Sequence, residues 1–342
     1  MVHFALIQLT KKHTEIFGTF LEIILKNNWD ITIYYNLEAD EYSFLPYYME
    51  LFQTKFDIKS THQLVEDKDQ FDYFIWTSSS DENYVPECFK SREYAEKSIY
   101  VQHQAAHMKE YMYKNIVVSP VIKIDNMNTY ILPIYRNYKQ LHYQAAKNQP
   151  IVFGIIGGIR TLKNGKILDR NLDLVKAIIE KFPNENYEIQ FFMRKWDWMW
   201  ISKKYPFLVK SKKIKAFFGL NTNNLIEKLR SVKFILPIGK KGGWFYWQRL
   251  TGALPLAINL NIPLIIDEKM AKIYELEQCS ILYKENLTEI FESVLKMDDS
   301  IYHDYILKSV KYKREICKNN EQNLIDICMG GTVVPPLPPH VM

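Results

Sequence analysis

The sequence VKFILPIGKKGGWFYWQRLTGALPLAINLNIPLIID, residues 232–267, contains a complete strand–loop–helix–strand pattern. It predicts a buried strand at Val232–Leu236, a glycine and lysine loop at Gly239–Gly243, a helix at Leu254–Leu260 and a second buried strand at Leu264–Ile266. Glycines let the backbone approach a ligand, and the amides and dipole of a helix start attract an anion. The pattern therefore favours an anion-binding loop. An ordinary joint without a ligand is the alternative that these residues leave open.

The same alternation of strand and helix runs through most of the chain. Further strands are predicted at His3–Leu9, Asp30–Tyr35, Phe71–Trp76, Ile99–Gln102, Ile116–Ser119, Tyr130–Pro133, Ile151–Ile156, Tyr187–Phe192, Ile214–Phe218 and Ser280–Tyr283. Amphipathic helices are predicted after Thr14 and after Asp169, each acting as an N-cap, and a charged helix is predicted over Tyr302–Cys317. Residues 37–70 give no clear assignment. Strand–helix–strand order indicates parallel sheets.

A length of 342 residues exceeds what a single core usually supports, so two domains are expected. The polar segment Tyr138–Pro150 is the predicted boundary. The predicted fold class is α/β, with two Rossmann-like doubly wound domains facing across a cleft. Their ranges are 1–145 and 146–300, followed by a helical segment at 301–328 and a Pro-rich tail at 329–342.

Composition indicates a soluble globular protein, with 47% hydrophobic and 24% charged residues. The formal net charge of +5 suits an anionic small molecule but is too weak to indicate nucleic acid, which we do not expect as a partner. No apolar run is long enough to span a bilayer, and the first residues lack a signal-peptide pattern. The four cysteines form no CxxC pair, which favours reduced thiols and a cytoplasmic location. Residue usage is typical of an AT-rich viral or microbial genome.

Ligands of doubly wound sheets bind beyond the carboxyl ends of the strands, so two histidines that follow predicted strands become candidates. His13 follows the first strand and could take a proton from an acceptor hydroxyl, although a solvated loop histidine has the same position. His103 follows the strand that ends at Gln102 and has the same two interpretations. His107 adds helical spacing for a metal pair, but no third ligand accompanies it, so we expect no metal.

The loop after Ile156 contains three cations, Arg160, Lys163 and Lys166. A diphosphate suits such a cluster, because Arg binds it through two hydrogen bonds and Lys binds it as a point charge. A solvated basic loop is the alternative. The spacing of the glycines matches neither a P-loop nor the dinucleotide fingerprint, so a nicotinamide cofactor has no support and no cofactor is expected.

Two other motifs receive simpler interpretations. Asp67-Lys-Asp69 is a DxD motif, but it precedes a strand instead of following one, so we discount it as a metal–diphosphate site. The segment Met193–Phe217 mixes cations with tryptophans and could contact a membrane surface or a nucleic acid. We favour a helix with buried aromatic side chains followed by a solvated lysine turn.

Taken together, the order of elements over residues 1–300 resembles the GT-B fold glycosyltransferases, twin-Rossmann enzymes that use nucleotide sugars. The segments IIGGIRTLKNGK, KIKAFFGLNTNNLIEKLRSVKFILP and LTGALPLAINLNIPLIID are similar to the pattern of the family's donor domain. The resemblance implies that residues 1–145 bind the acceptor and residues 146–300 bind the nucleotide-sugar donor. It also implies transfer without a bound metal.

The resemblance assigns roles to individual positions. It implies that Arg160 and Lys163 hold the diphosphate, that Phe218 and Gly219 lie near the nucleobase, and that the backbone from Gly242 and Gly243 to Thr251 contacts the donor's phosphate or sugar. His13 matches the loop in which inverting members keep a histidine base. His103 matches the position at which retaining members keep a histidine beside the sugar.

One departure concerns the two glutamates that retaining members carry around the glycine loop and the following helix. Arg249 and Leu256 stand at those positions here. Neither side chain can accept hydrogen bonds from sugar hydroxyls as a carboxylate does. Either Arg249 contacts the phosphate in a divergent branch or catalysis has been lost, and inversion is slightly favoured on the basis of His13.

The sequence therefore predicts a glycosyltransferase that moves a sugar from a UDP-, GDP- or other nucleoside-diphosphate sugar to a hydroxyl of a glycan or glycoconjugate. A catalytically inactive carbohydrate-binding or scaffold protein and a nucleotide-sugar epimerase are the alternatives.

Overall fold

The computed structural model describes residues 1–9, 14–35, 44–53, 56–77, 85–103, 111–122, 128–136, 149–159, 169–240 and 250–330. The chain divides into two compact units. Unit 1 contains residues 1–138, 248–250 and 314–342, and unit 2 contains residues 139–247 and 251–313. The predicted division between residues 145 and 146 lies outside the described residues and stays a prediction.

Unit 1 is built on a parallel sheet whose seven described strands have the order β3-β2-β1-β4-β5-β6-β7. The strands are β1 His3–Gln8, β2 Asp30–Tyr35, β3 Asp57–Ser60, β4 Tyr73–Trp76, β5 Ser98–Gln102, β6 Lys114–Val117 and β7 Asn128–Tyr130. The helices between them are α1 Phe17–Lys26, α2 Leu45–Phe52, α3 Leu64–Asp67 and α4 Arg92–Lys97. Apolar runs such as Phe4–Ile7 are completely buried, as expected for parallel strands that are covered on both faces.

Unit 2 repeats this design with six described strands in the order β10-β9-β8-β11-β12-β13. Its strands are β8 Ile151–Ile156, β9 Tyr187–Met193, β10 Ile214–Phe218, β11 Phe234–Ile235, β12 Leu264–Asp267 and β13 Ser280–Tyr283. Its helices are α5 Leu172–Lys181, α6 Lys195–Lys204, α7 Phe207–Lys210, α8 Thr222–Leu229, α9 Ala253–Leu260, α10 Glu268–Ile273, α11 Thr288–Leu295 and α12 Asp299–Met329, the last of which continues into unit 1. Both orders are those of the doubly wound fold, which confirms the predicted fold class.

Local chemistry explains how helix α9 ends and how helix α10 begins. Helix α9 ends at Asn261, whose φ of 55° is left-handed and suits Asn, and Pro263 follows where a helix could not continue. Strand β12 ends in Asp267, whose carboxylate accepts a hydrogen bond of 3.1 Å from the amide of Met270 and caps α10.

Two predicted helix caps are wrong. Thr14 lies in a short 3-10 turn, Thr14–Ile16, and its hydroxyl accepts a hydrogen bond from the amide of Phe44, so it does not cap α1. Asp169 lies before Asn171, the residue at the cap position of α5, and its carbonyl accepts from the amide of Lys240. For Thr14, a partner distant in the sequence uses the hydroxyl that the local pattern assigned to the helix, whereas for Asp169 the cap position lies two residues further along the chain.

Several predicted bounds also differ from the structure. The strand predicted at Val232–Leu236 is only Phe234–Ile235, and the helix predicted at Tyr302–Cys317 extends over Asp299–Met329. The strands predicted at Ile116–Ser119 and Tyr130–Pro133 each begin and end two or more residues earlier, at Lys114–Val117 and Asn128–Tyr130. Strand β3, which lies within the unassigned residues 37–70, was not predicted.

Candidate active site

The carboxyl ends of β8 and β11 form the candidate site of unit 2. These strands are neighbours in the sheet, although β8 is also paired with β9 on its other side, so the winding of the sheet reverses between them. A crevice opens at such a switch point, beyond the strand ends. The loop that begins at Gly157 leaves β8 here, and Pro237 follows β11.

The guanidinium of Arg170 occupies this switch point. Its Nη2 donates to the carbonyl of Ile156 at 2.9 Å, and its Nη1 donates to the carbonyl of Pro237. Nη2 also donates to the hydroxyl of Thr251 at 3.4 Å. One side chain thus joins the ends of two strands to Thr251, which lies two residues before the start of helix α9.

The backbone around Arg170 is held in place by hydrogen bonds to the segment that follows β11. Arg170 forms an isolated antiparallel bridge with Gly239, and the amide of Asn171 donates to the carbonyl of Ile238 at 2.8 Å. The amide of Lys240 donates to the carbonyl of Asp169 at 3.0 Å. The described start of the glycine and lysine loop is therefore paired directly with the segment that carries the arginine.

Burial changes the charge of Arg170 only slightly. The side chain is 3% exposed, and burial lowers the pKa of its guanidinium to about 10, an effect that Asp169 partly opposes. A pKa of about 10 still leaves the group cationic at neutral pH. A fixed positive charge in a low-dielectric crevice attracts an anion more strongly than a surface charge does.

Two consecutive glycines, Gly157 and Gly158, begin the loop after β8. Gly157 has a φ of 95°, which disfavours every other residue type, and a Cβ atom there would lie 3.4 Å from Nη2 of Arg170. A Cβ atom on Gly158 would lie 2.9 Å from Oδ2 of Asp197. Only glycine lets the chain pass this closely.

A second arginine stands at the end of the adjacent strand. Arg194 follows β9 and donates from Nε to Oδ2 of Asp197 at 2.9 Å and from Nη2 to Oδ1 at 3.1 Å. The carboxylate is buried, whereas the arginine side chain is 75% exposed. Because Gly158 packs against this pair, a cation lies beside the loop that continues into Arg160.

The other predicted sugar-donor residues fall into two groups. Thr251 is buried against Arg170, Phe218 ends β10 with its ring centroid 5.9 Å from that of Trp198, and Gly219 follows with a φ of 60°. Arg160, Lys163, Gly242, Gly243 and Arg249 lie outside the described residues. Their roles stay predictions.

The switch point of unit 1, between β1 and β4, also carries polar side chains. Thr77 follows β4, and its hydroxyl donates to the side-chain oxygen of Gln8 and contacts the carbonyl of Ile7 at 2.8 Å. Nε2 of His103 lies 2.7 Å from the carbonyl of Thr77. Since a carbonyl only accepts, Nε2 carries a proton, and a neutral His103 then presents its lone pair on Nδ1.

The structure brings His103 to this edge but says nothing of the other two histidines, because His13 and His107 lie outside the described residues. Within the residues that are described, no three His, Cys, Asp or Glu side chains are grouped in a way that could hold a metal ion. Asp67 and Asp69 of the discounted DxD motif have partners inside unit 1. Asp67 accepts from Tyr34 at 2.6 Å and from Lys59 at 2.9 Å, and Asp69 accepts from Tyr94.

Sequence reasoning missed Arg170, Arg194, Gln8 and Thr77. Only position could have indicated them, because each lies at or just after a strand end or just before a helix. Nothing in the local sequence shows that Arg170 is buried. At the position of a family glutamate, Leu256 is 8% exposed within α9, which is consistent with an apolar packing role.

Comparison with known proteins gives structural neighbours only. No protein-family model matches the chain, and no curated protein sequence matches it. HepE of Anabaena, solved with UDP and glucose, superimposes with a TM-score of 0.59 at 8% identity, over 96% of this chain and 100% of HepE. The chain has the GT-B fold.

Two further structural neighbours each give a lower TM-score than HepE does. The DNA-modifying enzyme β-glucosyltransferase, solved with and without uridine diphosphoglucose, gives a TM-score of 0.52 at 16% identity, over 95% of this chain and 99% of that enzyme. A Listeria monocytogenes protein described as a UDP-N-acetylglucosamine 2-epimerase gives 0.52 at 13% identity, over 89% and 90%. The resemblance inferred from the sequence is confirmed at the level of the fold.

Proposed function

We propose that the protein is a glycosyltransferase that takes a sugar from a nucleoside-diphosphate sugar and transfers it to a hydroxyl acceptor. The observation that carries the proposal is the buried, cationic Arg170 at the switch point of unit 2, joined to Thr251 and to the start of the glycine and lysine loop. In a doubly wound sheet this is where a phosphate-bearing ligand binds.

Each loop at this edge would have a separate task in binding the donor. Arg170 is a positioning residue that fixes the strand ends and adds a positive potential, while Arg160 and Lys163 would contact the diphosphate directly. Phe218 and Gly219 would border the nucleobase, and Thr251 with Gly242, Gly243 and Arg249 would border the phosphate or sugar. UDP is the first nucleotide to test, because HepE was solved with UDP and the β-glucosyltransferase with uridine diphosphoglucose.

The reaction would need a base and a stabilised leaving group. The acceptor oxygen attacks the anomeric carbon, the bond from that carbon to the diphosphate oxygen breaks, and the diphosphate leaves with the electron pair. His13 would take the acceptor proton, with His103 through Nδ1 as the less favoured base. Arginine and lysine charges would stabilise the diphosphate without a metal, and a single displacement of this kind inverts the anomeric configuration.

The direct test is nucleotide release from UDP-glucose, UDP-galactose and UDP-N-acetylglucosamine in buffer with EDTA, followed by coupled detection of UDP. The wild type should release UDP from one sugar, His13→Ala should lower the rate at least about a hundredfold, and Lys176→Ala on the exposed face of α5 should leave it unchanged. Release that requires added Mg²⁺ or Mn²⁺, or an unaffected His13→Ala variant, would contradict this mechanism.

An epimerase is the second candidate, because the neighbour described as a UDP-N-acetylglucosamine 2-epimerase matches as well as the β-glucosyltransferase does. The same incubation separates the two reactions. Transfer or hydrolysis frees UDP, whereas epimerisation at C2 that retains the nucleotide would change the NMR spectrum of the sugar ring without releasing UDP. An inactive sugar-binding protein would bind the nucleotide and do neither.

A glycan or glycoconjugate acceptor and a cytoplasmic location complete the proposal. The four cysteines, which all lie in the described part of the chain, form no disulfide, and three of them are buried, which suits a reducing compartment. DNA is the alternative acceptor, since one neighbour is a DNA-modifying enzyme. If radiolabelled glucose is incorporated into duplex DNA, the acceptor in this proposal becomes DNA instead of a glycan.

A further inference from the structure

Helix α6 and the short helix α7 expose a group of apolar side chains. Trp196, Met199 and Trp200 are 65%, 52% and 47% exposed, and Val209 is 66% exposed. Among the described residues, ten large apolar side chains are exposed, and four of them belong to this segment of fourteen residues. The sequence-based interpretation of buried aromatic side chains is therefore wrong for Trp196 and Trp200.

The spacing puts three of these side chains on one face of α6. Positions 196, 199 and 200 follow the three- and four-residue steps of a helix face, and the rings of Trp196 and Trp200 lie 6.2 Å apart. The opposite face is occupied by the core of unit 2. Trp198 packs 5.5 Å from the ring of Phe191, and Ile201 is buried. A helix that is apolar on both faces is expected to contact a second apolar environment with the face that the core does not cover.

Exposed lysines accompany these apolar side chains along the α6–α7 segment. The exposed members of the group, which we call the tryptophan–lysine surface, are Lys195, Trp196, Met199, Trp200, Lys203, Lys204, Val209, Lys210 and Lys212. Residues 194–213 contain seven lysines and arginines and one acidic residue, so their formal net charge of +6 exceeds the +5 of the whole chain. The single acidic residue, Asp197, is buried and paired with Arg194. The segment is therefore strongly cationic by sequence, and its own acidic residue does not face the exposed lysines.

We propose that the tryptophan–lysine surface docks the protein on an anionic lipid membrane. Tryptophan rings prefer the interface between water and hydrocarbon, and lysine stems extend along the apolar layer while their ammonium groups reach lipid phosphates. Apolar insertion and attraction to anionic headgroups add in interfacial binding of this kind. No helix in the described part of the chain is long and apolar enough to cross a membrane.

The side chains favour a membrane over a nucleic acid. Single-stranded nucleic acid binds to cationic grooves by stacking its bases on aromatic rings. Met199 and Val209 offer no ring for stacking, yet they are as exposed as the tryptophans. An acyl boundary accommodates aliphatic and aromatic groups equally, so it accounts for the whole apolar face.

The test is co-sedimentation of the full chain with vesicles of phosphatidylcholine alone and with 40% phosphatidylglycerol, at low and at physiological salt. The wild type should bind the anionic vesicles at least tenfold more tightly, and binding should weaken as salt rises. Trp196→Ser/Trp200→Ser and Lys203→Glu/Lys204→Glu should each reduce binding at least tenfold. All substituted side chains are exposed, so circular dichroism and the melting temperature should stay at wild-type values.

Matched controls distinguish this surface from general stickiness. Ile301→Ser/Leu307→Ser removes two apolar side chains of α12 with comparable exposure, 48% and 56%, and should leave vesicle binding unchanged. Lys311→Glu/Lys318→Glu changes the same amount of charge elsewhere on α12 and should have a small effect.

Three outcomes would overturn the proposal. They are no binding to anionic vesicles, binding that the Trp196→Ser/Trp200→Ser variant retains, and tight binding of a labelled single-stranded oligonucleotide that only this variant loses. Docking does not require sugar transfer, so failure here leaves the candidate site of unit 2 unaffected.

Discussion

Arg170 is the single residue on which the carboxyl edge of the second sheet depends most. Its guanidinium donates to the carbonyls of Ile156 and Pro237 while the side chain is almost completely buried. A buried carbonyl without a donor costs far more than a surface contact gains. The residue therefore links the stability of unit 2 to the shape of its crevice.

We expect Arg170→Met to lower the free energy of unfolding by about 2–4 kcal/mol, because two buried carbonyls lose their donor. Urea unfolding followed by circular dichroism measures this change. The control is Arg230→Met, whose side chain is 52% exposed and paired with Glu227. That change should cost no more than about 0.5 kcal/mol. Equal midpoints for the two variants would show that Arg170 has no such role.

We expect substitution by alanine to have different effects on stability at Gly158 and at Gly252. Gly158→Ala would place Cβ 2.9 Å from Asp197 and displace the Arg194–Asp197 pair. We expect a loss of about 1 kcal/mol of stability and a several-fold weaker affinity for UDP in calorimetry. A Cβ atom on Gly252 would meet no other atom within 4 Å, so Gly252→Ala should change stability by less than about 0.5 kcal/mol. A tolerated Gly158→Ala with wild-type affinity would remove this loop from the site.

The sequence analysis chose Thr251 from the family pattern. The structure places its hydroxyl against Arg170, and its role in binding the donor stays a prediction. The cap assigned to Thr14 failed because its hydroxyl accepts from the amide of Phe44, which is distant in sequence, and the cap assigned to Asp169 failed because the cap position of α5 is Asn171. Arg170 was overlooked because its burial is created by strands β8 and β11, which are also distant in sequence.

At the scale of the elements, a side chain of helix α12, that of Asn320, makes the two backbone hydrogen bonds that a neighbouring strand would make. Asn320 donates from Nδ2 to the carbonyl of Leu132 at 2.7 Å, and its Oδ1 accepts from the amide of Leu132 at 3.2 Å. Both groups of Leu132 are thereby satisfied in the buried segment that follows β7.

We expect Asn320→Ala to destabilise unit 1 by about 2–3 kcal/mol, because a buried amide and a buried carbonyl both lose a partner. Gln322→Ala, two positions away and exposed, removes only a bond to Asp326 and should be nearly neutral. Hydrogen exchange at the amide of Leu132 provides a local readout. Unchanged protection in Asn320→Ala would contradict the pairing.

The contact among β2, β3 and α3 predicts a specific pH dependence. A hydrogen bond from Tyr34, followed by one from Lys59, lowers the pKa of Asp67 below its ordinary value of 3.8. A carboxyl whose folded pKa is depressed stabilises the protein above its unfolded pKa and loses that contribution as pH falls through the folded value.

Asp67→Asn should therefore lower stability at pH 7 and flatten the decline of stability below about pH 4. Urea midpoints measured from pH 7 to pH 2.5 test this, with Glu66→Gln, an exposed neighbour, as the control. An unchanged slope in Asp67→Asn would contradict the assignment.

Elements were predictable where apolar runs are long. Strands β2, β8, β10 and β13 have the predicted bounds, because short runs rich in apolar and β-branched residues identify strands. Strand β3, with the sequence DIKS, is a polar edge strand and resembles a loop. Only Phe234 and Ile235 of the predicted Val232–Leu236 strand are assigned to β11, because register with both neighbours extends no further.

At the scale of the whole molecule, two sheets repeat one winding order, and each has polar side chains at its switch point. Arg170 occupies that place in unit 2, and Gln8, Thr77 and His103 occupy it in unit 1. The fold follows from the sequence pattern. The sugar and nucleobase of the donor and the identity of the acceptor do not follow from it, because they depend on side-chain positions in loops, which periodicity does not determine.

The most direct test of the account is calorimetric titration of the full chain with UDP, GDP, ADP, CMP and dTDP in buffer containing EDTA. The account predicts saturable binding of one nucleotide per chain, weakened at least about tenfold in Arg160→Ala because a charge-assisted bond to phosphate is lost. Lys176→Ala should bind as the wild type does. Absence of binding by all five nucleotides, or equal affinity in Arg160→Ala, would contradict a nucleotide-sugar site at the carboxyl edge of unit 2.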